Sequence, residues 1–211
     1  PHITGLVSLA VADYEFPTFF AEIAADRRDE MLSLENQAGT SIVTLRTPDF
    51  MLSSAQDWHA GQPGNSELVW QGTLGPDTMV FTTHPACMSE APARRPGHWL
   101  GNAVLPRVAQ WKDTLIAVYN FGEEGMNFTH AFFPVHQFDE YVLRDGWAFA
   151  RKGEGYLALT AARGLEFVKE GPGGYRELRS YGTPNIWICQ MGRTATDESF
   201  ADFQAKNLAT R

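Results

Sequence analysis

The feature that most constrains this chain is a series of short β-type runs over residues 147 to 191, each divided from the next by a few turn-forming residues. Trp147 to Lys152, Tyr156 to Ala161, Leu165 to Lys169, Tyr175 to Ser180 and Ile186 to Met191 have the β-branched and aromatic content of strands. Between them, Gly153-Glu154-Gly155, Ala162-Arg163-Gly164 and Gly171-Pro172-Gly173-Gly174 supply the positive-φ or kinked positions that tight turns need. That pattern is an antiparallel meander. On its first strand, alternation sets Trp147, Phe149 and Arg151 on one face and Ala148, Ala150 and Lys152 on the other. A face of small residues lets a second sheet or a ligand come close.

Earlier runs read the same way: Ser41 to Arg46, Glu67 to Gln71, Thr78 to Thr83, Thr114 to Tyr119 and Phe138 to Leu143. About ten short strands without alternating helices predict a mainly β fold, a two-layer antiparallel β-sandwich. Helices are expected only near the ends. Pro17 suits a first helical turn, and Phe19, Phe20, Ile23 and Ala24 share a helical face, so a short helix is expected over residues 17 to 26. The run Asp26 to Glu30 reads as its solvated end. Thr196 is the expected cap of a closing helix, Asp197 to Asn207. The expected organisation is a helical N-terminal segment, 1–40, and a β-sandwich domain, 41–211.

With 211 residues, 44% of them hydrophobic, the chain can bury a substantial core. Its net charge of −8 argues against nucleic acid as a partner, since that affinity rests on Lys and Arg neutralising phosphates. No apolar run approaches the roughly eighteen residues of a membrane helix, so no membrane partner is expected. The chain begins at Pro1, which marks a processed form or a fragment, and the lack of a signal peptide leaves the compartment open. Cys87 and Cys189 read equally as one disulfide or two thiols. Asn127-Phe128-Thr129 fits a glycosylation triplet, a common chance match.

The stretch from His84 to Gln110 is far longer than a hairpin connection, and long connections in compact domains tend to be functional or disordered. Trp99, Leu100, Val104 and Leu105 predict an ordered one. It carries His84, Arg94, Arg95, His98, Trp99, Asn102 and Arg107, and between His84 and Lys112 Glu90 is its only acid. A locally cationic loop in an acidic protein suits an anionic small molecule or sugar acid. A second polar loop, Ser53 to Ser66, holds Asp57, Trp58 and His59, and Trp58 there can stack on a sugar or anchor the loop to the core.

Nucleophile-elbow, phosphate-loop, dinucleotide and HExxH motifs are absent. Proton abstraction beside a carboxylate needs a group that neutralises the carboxylate and a base. Asn102, Arg107, Arg94 and Arg95 are candidates for the first role, and His84, His98, His130, Tyr119 and Tyr141 for the second. Each also has an ordinary structural use: Asn102 in a turn, Arg107 in an ion pair, Tyr119 in the core. A zinc site through His130 and His136, with Asp139 or Glu140, has suitable donors but none of the known ligand spacings, so no metal is assigned. Cys87 activated by His84 would be a third chemistry, although a free cysteine is commonly a buried small hydrophobe. The acids Glu123-Glu124, Asp139-Glu140 and Glu154 are available for glycoside hydrolysis, but adjacent acids on turns are usually solvated.

RTPDFMLSSAQDW (46–58), LVWQGTLGPDTMVFTTHPA (68–86), PGHWLGNAVLPRVAQWKDTLIAVYN (96–120) and FDEYVLRDGWAFARKGEGYLAL (138–159) resemble the C-terminal β-sandwich part of large microbial heparinase II/III-like proteins. The likeness covers most of residues 40 to 195. It implies an α/α toroid before the sandwich, with residues 1–40 as its tail, and a cleft between the two acting by β-elimination on a uronic-acid-containing glycan. The implied partners are an acidic polysaccharide or oligosaccharide and a preceding α-helical domain or second chain; the implied compartment is secreted or periplasmic. The compact His-rich, Asp-containing motif that binds zinc in such proteins does not occur here, so no ligand or catalytic pair carries over. In the enzyme reading, His84, His98, Asn102, Arg107 and Tyr119, chosen by residue type, are the expected catalytic set facing a cleft. Trp58, Arg94, Arg95, Trp99 and His130 are the expected substrate contacts. A non-catalytic sandwich, binding glycan or packing on a domain through Trp58, Trp99 and Trp111, is the alternative.

Overall fold

The computed structural model describes residues 17–26, 28–35, 39–90, 96–169 and 176–210. In chain order its strands are β1 (Glu30–Glu35), β2 (Ser41–Arg46), β3 (Met51–Gln56), β4 (Trp70–Gly75), β5 (Thr78–Thr83), β6 (Arg107–Trp111) and β7 (Thr114–Tyr119). They continue as β8 (Phe128–Phe132), β9 (Glu140–Arg144), β10 (Trp147–Lys152), β11 (Gly155–Ala161), β12 (Glu166–Val168), β13 (Glu177–Tyr181) and β14 (Asn185–Arg193). Two sheets result, β1-β2-β3-β4-β5-β8-β13-β12 and β6-β7-β14-β11-β10-β9. The predicted two-layer antiparallel sandwich, with short helices near its ends, is the observed architecture.

Strand alternation builds the core. Val80 and Thr82 of β5, Ala131 of β8 and Leu178 of β13 face inward from the first sheet, opposite Leu115, Ala117 and Tyr119 of β7, Leu157 and Leu159 of β11, and Trp187 and Cys189 of β14. Several polar groups that enter this layer are paired, although the Ser180 hydroxyl is not. The Trp70 and Trp187 indole N–H groups donate to Thr82 Oγ1 and Thr129 Oγ1, each at 2.7 Å. Gln110 ties the layers together, accepting from Ser54 Oγ at 2.8 Å and donating to the Leu52 carbonyl at 3.0 Å. Cys87 and Cys189 are free thiols.

On β10 the two faces divide as alternation predicts. Ala148 and Ala150 lie in the core between the sheets, while Trp147 and Phe149 face outward with Tyr156 and Ala158 and are covered by Phe200 and Phe203 of the C-terminal helix. Asp145 and Gly146, at φ of 51° and 75°, make the tight turn that leads into this strand.

Several elements differ from expectation. Within the segment 1–40 expected to be helical, residues 30–35 form a strand, paired with β2 from Glu30 opposite Arg46 to Glu35 opposite Ser41. Helix α1 (Thr18–Ala25) precedes it and has no buried residue. The strands β3, β6 and β8 are additional, and β6 takes residues 107–111 out of the long loop and into a hairpin with β7. At the C-terminus the single expected helix is two, α2 (Thr194–Asp197) and α3 (Phe200–Leu208), because Glu198 at φ 60° leaves the helical region. The cap of α3 is therefore Ser199, whose Oγ accepts from the Asp202 N–H at 3.1 Å, not Thr196.

Candidate functional site

The described parts of the long loop, residues 84–90 and 96–106, lie over the outer face of the first sheet, and the second polar loop holds them there. Gly64 and Asn102 exchange backbone hydrogen bonds, Gly61 N–H donates to the Leu105 carbonyl, and Leu105 N–H donates to that of Gln62, all within 2.7–2.9 Å. Gly101 makes this approach possible. It sits at φ 86°, and a Cβ there would collide with the Gly64 carbonyl. The Trp99 N–H is bonded to the Glu90 carboxylate, which closes the loop on itself.

Under the loop lies a row of polar residues from three adjacent strands. Thr83 of β5 is opposite His130 of β8, which is opposite Arg179 of β13. Glu177 is two residues before Arg179 and so shares its face. His130 Nε2 is 2.7 Å from Thr83 Oγ1 and its Nδ1 is 2.8 Å from Glu177 Oε1. Arg179 donates from both Nε, at 2.6 Å, and Nη2, at 3.0 Å, to the two Glu177 oxygens. Its guanidinium also lies over the Phe128 ring, 4.6 Å from the centroid. The loop adds His98, whose Nε2 is 3.3 Å from Glu177 Oε1, and Trp99, whose ring stacks on His130 at 4.2 Å and 6°.

Thr83, His98, His130 and Glu177 are all fully buried. Burial alone would raise the Glu177 pKa, but the hydrogen bonds from His130 and Arg179 and the close approach of the His98 ring outweigh it and hold the carboxyl well below its ordinary range. Burial pushes His130 down to about 4, against the attraction of Glu177, so the ring is neutral near pH 7. Neutral His130 then donates from Nδ1 to Glu177 and accepts the Thr83 hydroxyl at Nε2. Neither His98 nitrogen makes a hydrogen bond, the geometry toward Glu177 being too oblique.

The structure brings together His98, Trp99 and His130 of the expected residues and disperses the rest. His84 stacks on Phe121 at 4.0 Å and donates from Nε2 to the Met126 carbonyl, and burial lowers its pKa. Asn102 is a buried strut of the loop. Tyr119 lies between the sheets with its hydroxyl 2.9 Å from Thr82 Oγ1, and burial raises its pKa. None of these three reaches a surface where substrate could meet it. Arg107 is exposed at the start of β6 and pairs with Asp57 at 2.8 Å. Trp58 packs partly on the core and stacks on the exposed His59 at 4.0 Å and 11°. Arg94 and Arg95 lie outside the described residues.

His136 is exposed on the 3-10 turn Val135–Gln137 and does not join His130. Instead, His98, His130 and Glu177 each offer one ligand-type atom, all within 4.8 Å of one another. Sequence reasoning missed Glu177, Arg179 and Thr83. An acid and a base two apart on one strand were the available signal, but only the pairing of β13 with β8 gives it meaning. No family model, curated protein or solved structure matches the chain.

Proposed function

We propose that this chain is the β-sandwich part of a carbohydrate-active enzyme, supplying the glycan-contacting side of a polysaccharide lyase cleft for a uronic-acid-containing polymer. The observation that carries the reading is the ion pair of Arg107 with Asp57, whose neighbours in sequence, Trp58 and His59, stack on each other. A guanidinium that can exchange its carboxylate partner for that of a sugar acid, next to an aromatic face, is a pairing suited to uronates. The resemblance of residues 46–58 and 96–120 to heparinase II/III-like sandwiches supports it, because those segments contain Asp57, Trp58 and Arg107.

In β-elimination a base removes the proton beside the uronate carboxylate, the carboxylate being neutralised as charge develops on it, and the glycosidic oxygen departs. Arg107 is the neutralising group in this reading, and the base comes from the helical domain that the resemblance implies. A sandwich that only bound glycan through aromatic rings would call for a flat platform. The three tryptophans expected to form it are instead separated in role, Trp58 on the core, Trp99 on His130 and Trp111 at 73% exposure with the Lys112 ammonium over its ring.

The test is retardation of the purified chain in gels containing alginate, hyaluronan, heparan sulfate or neutral dextran, with ultraviolet absorbance of the unsaturated product followed in parallel. Retardation by a uronate polymer that Arg107→Ala weakens is the expected result. Product formation would place the base within this chain as well. Equal behaviour toward dextran and all three acidic polymers would overturn the proposal.

A further inference from the structure

His98 poses a problem of its own. An imidazole with no exposed surface has both nitrogens unpaired, although a Glu177 oxygen stands 3.3 Å from one of them. Buried polar atoms are nearly always bonded, and each exception calls for a partner. Here the groups that could share a partner are already close, Glu177 Oε1 standing 3.3 Å from His98 Nε2 and 2.8 Å from His130 Nδ1, with one ligand-type atom of each residue within 4.8 Å of the others.

We propose that His98, His130 and Glu177 form a binding site for a divalent transition metal of the zinc class, which fastens residues 96–106 to the outer face of the first sheet. The inference does not depend on the carbohydrate reading. Two imidazoles and one carboxylate are donors that zinc takes, at about 2.0–2.2 Å in a tetrahedron, which sets ligand atoms roughly 3.3 Å apart. Glu177 Oε1 is 3.3 Å from His98 Nε2 and 2.8 Å from His130 Nδ1, so small outward shifts make room.

The surroundings suit a metal at His130 Nδ1 with the ring proton on Nε2. In the metal-free arrangement the His130 proton sits on Nδ1, between the ring and Glu177. With the metal there, the proton moves to Nε2 and is donated to Thr83 Oγ1, 2.7 Å away, the outer contact that orients a metal-bound imidazole. Trp99 closes the opposite face of the His130 ring, and Phe81 and Phe132 pack edge-on against Trp99. Arg179 bears on the charge balance. It already neutralises Glu177, so the ion enters a set with no net charge, and the fourth ligand is a hydroxide or another anion.

Equilibrium dialysis of the full chain against zinc, after removal of bound metal with chelator, is the direct test. One zinc per chain is expected, with a rise in the thermal midpoint. Cobalt substitution should give the intense visible bands of a four-coordinate site. His98→Ala should weaken zinc binding at least a hundredfold and abolish the midpoint rise, whereas His136→Ala and His59→Ala should leave both intact. Should His98→Ala fail to fold, histidine proton resonances of the zinc-loaded wild type decide. Shifts confined to two buried rings support the site, and shifts at exposed rings refute it. Absence of zinc binding at 0.1 mM, about a thousandfold weaker than a modest structural site, or equal binding by a folded His98→Ala, would also overturn the proposal.

Discussion

Asn102 holds the root of the long loop through the backbone of His84. Its Oδ1 accepts the His84 N–H at 2.8 Å while its Nδ2 donates to the Glu67 carbonyl at 3.0 Å. One buried amide thus spans the end of β5 and the approach to β4, so the loop is fixed at both ends before any contact along its length.

Asn102→Ala is therefore expected to act on stability rather than chemistry. It leaves a buried N–H and a carbonyl unpaired, at a cost of about 1–3 kcal/mol. Urea unfolding should show a lower midpoint at unchanged m-value.

Gly101→Ala should loosen the same loop by a different route. The new methyl meets the Gly64 carbonyl, and φ 86° is unfavourable for any residue with a Cβ. A loss of more than about 1 kcal/mol is expected in the same unfolding experiment, with faster amide exchange at Gly64 and Asn102. Unchanged exchange there would show that the two loops do not depend on each other.

Tyr119→Phe tests whether the hydroxyl is structural. Thr82 Oγ1 keeps the Trp70 indole donor when the phenol oxygen is gone, so only about 1 kcal/mol should be lost. Glycan retardation should match the wild type. Loss of retardation without loss of stability would return Tyr119 to the substrate.

Asp197 gives the fold a pH dependence. Burial raises its pKa, but bonds from Lys206 Nζ at 2.9 Å, Thr196 Oγ1 at 2.8 Å and the Arg193 N–H at 3.2 Å outweigh burial and depress it. A depressed carboxyl stabilises the folded chain above its unfolded value of about 3.9, and that contribution disappears as pH falls through the lower folded value. Thermal midpoints of the wild type and Asp197→Asn should differ by a constant amount at neutral pH and converge below about pH 4.

The meander was legible in sequence because its strands are buried on both faces or alternate large with small residues, as Trp147 to Ala150 does. The strand β6 was not. Arg107, Ala109 and Trp111 face solvent, and only Val108 and Gln110 point inward, so five residues between turns carried too little apolar signal. The strand β1 is exposed along its whole length and is defined by pairing alone. Within the candidate site, His98 and His130 were noticed as residue types, but alternation cannot say which distant strand lies next to which. Asn102 and Tyr119 illustrate the converse. Polar groups deep in a sandwich resemble catalytic groups until their partners are known.

The row beneath the loop has a consequence for how the molecule comes into being. His130 takes its two hydrogen-bond partners from opposite directions along the chain, each 47 residues away. No local segment can rehearse that arrangement, and the loop-closure entropy of both stretches must be met before His130 finds either partner. The cluster is in effect a record of completed assembly: it exists only once β5, from earlier in the chain, and β13, from later in it, have both paired with β8.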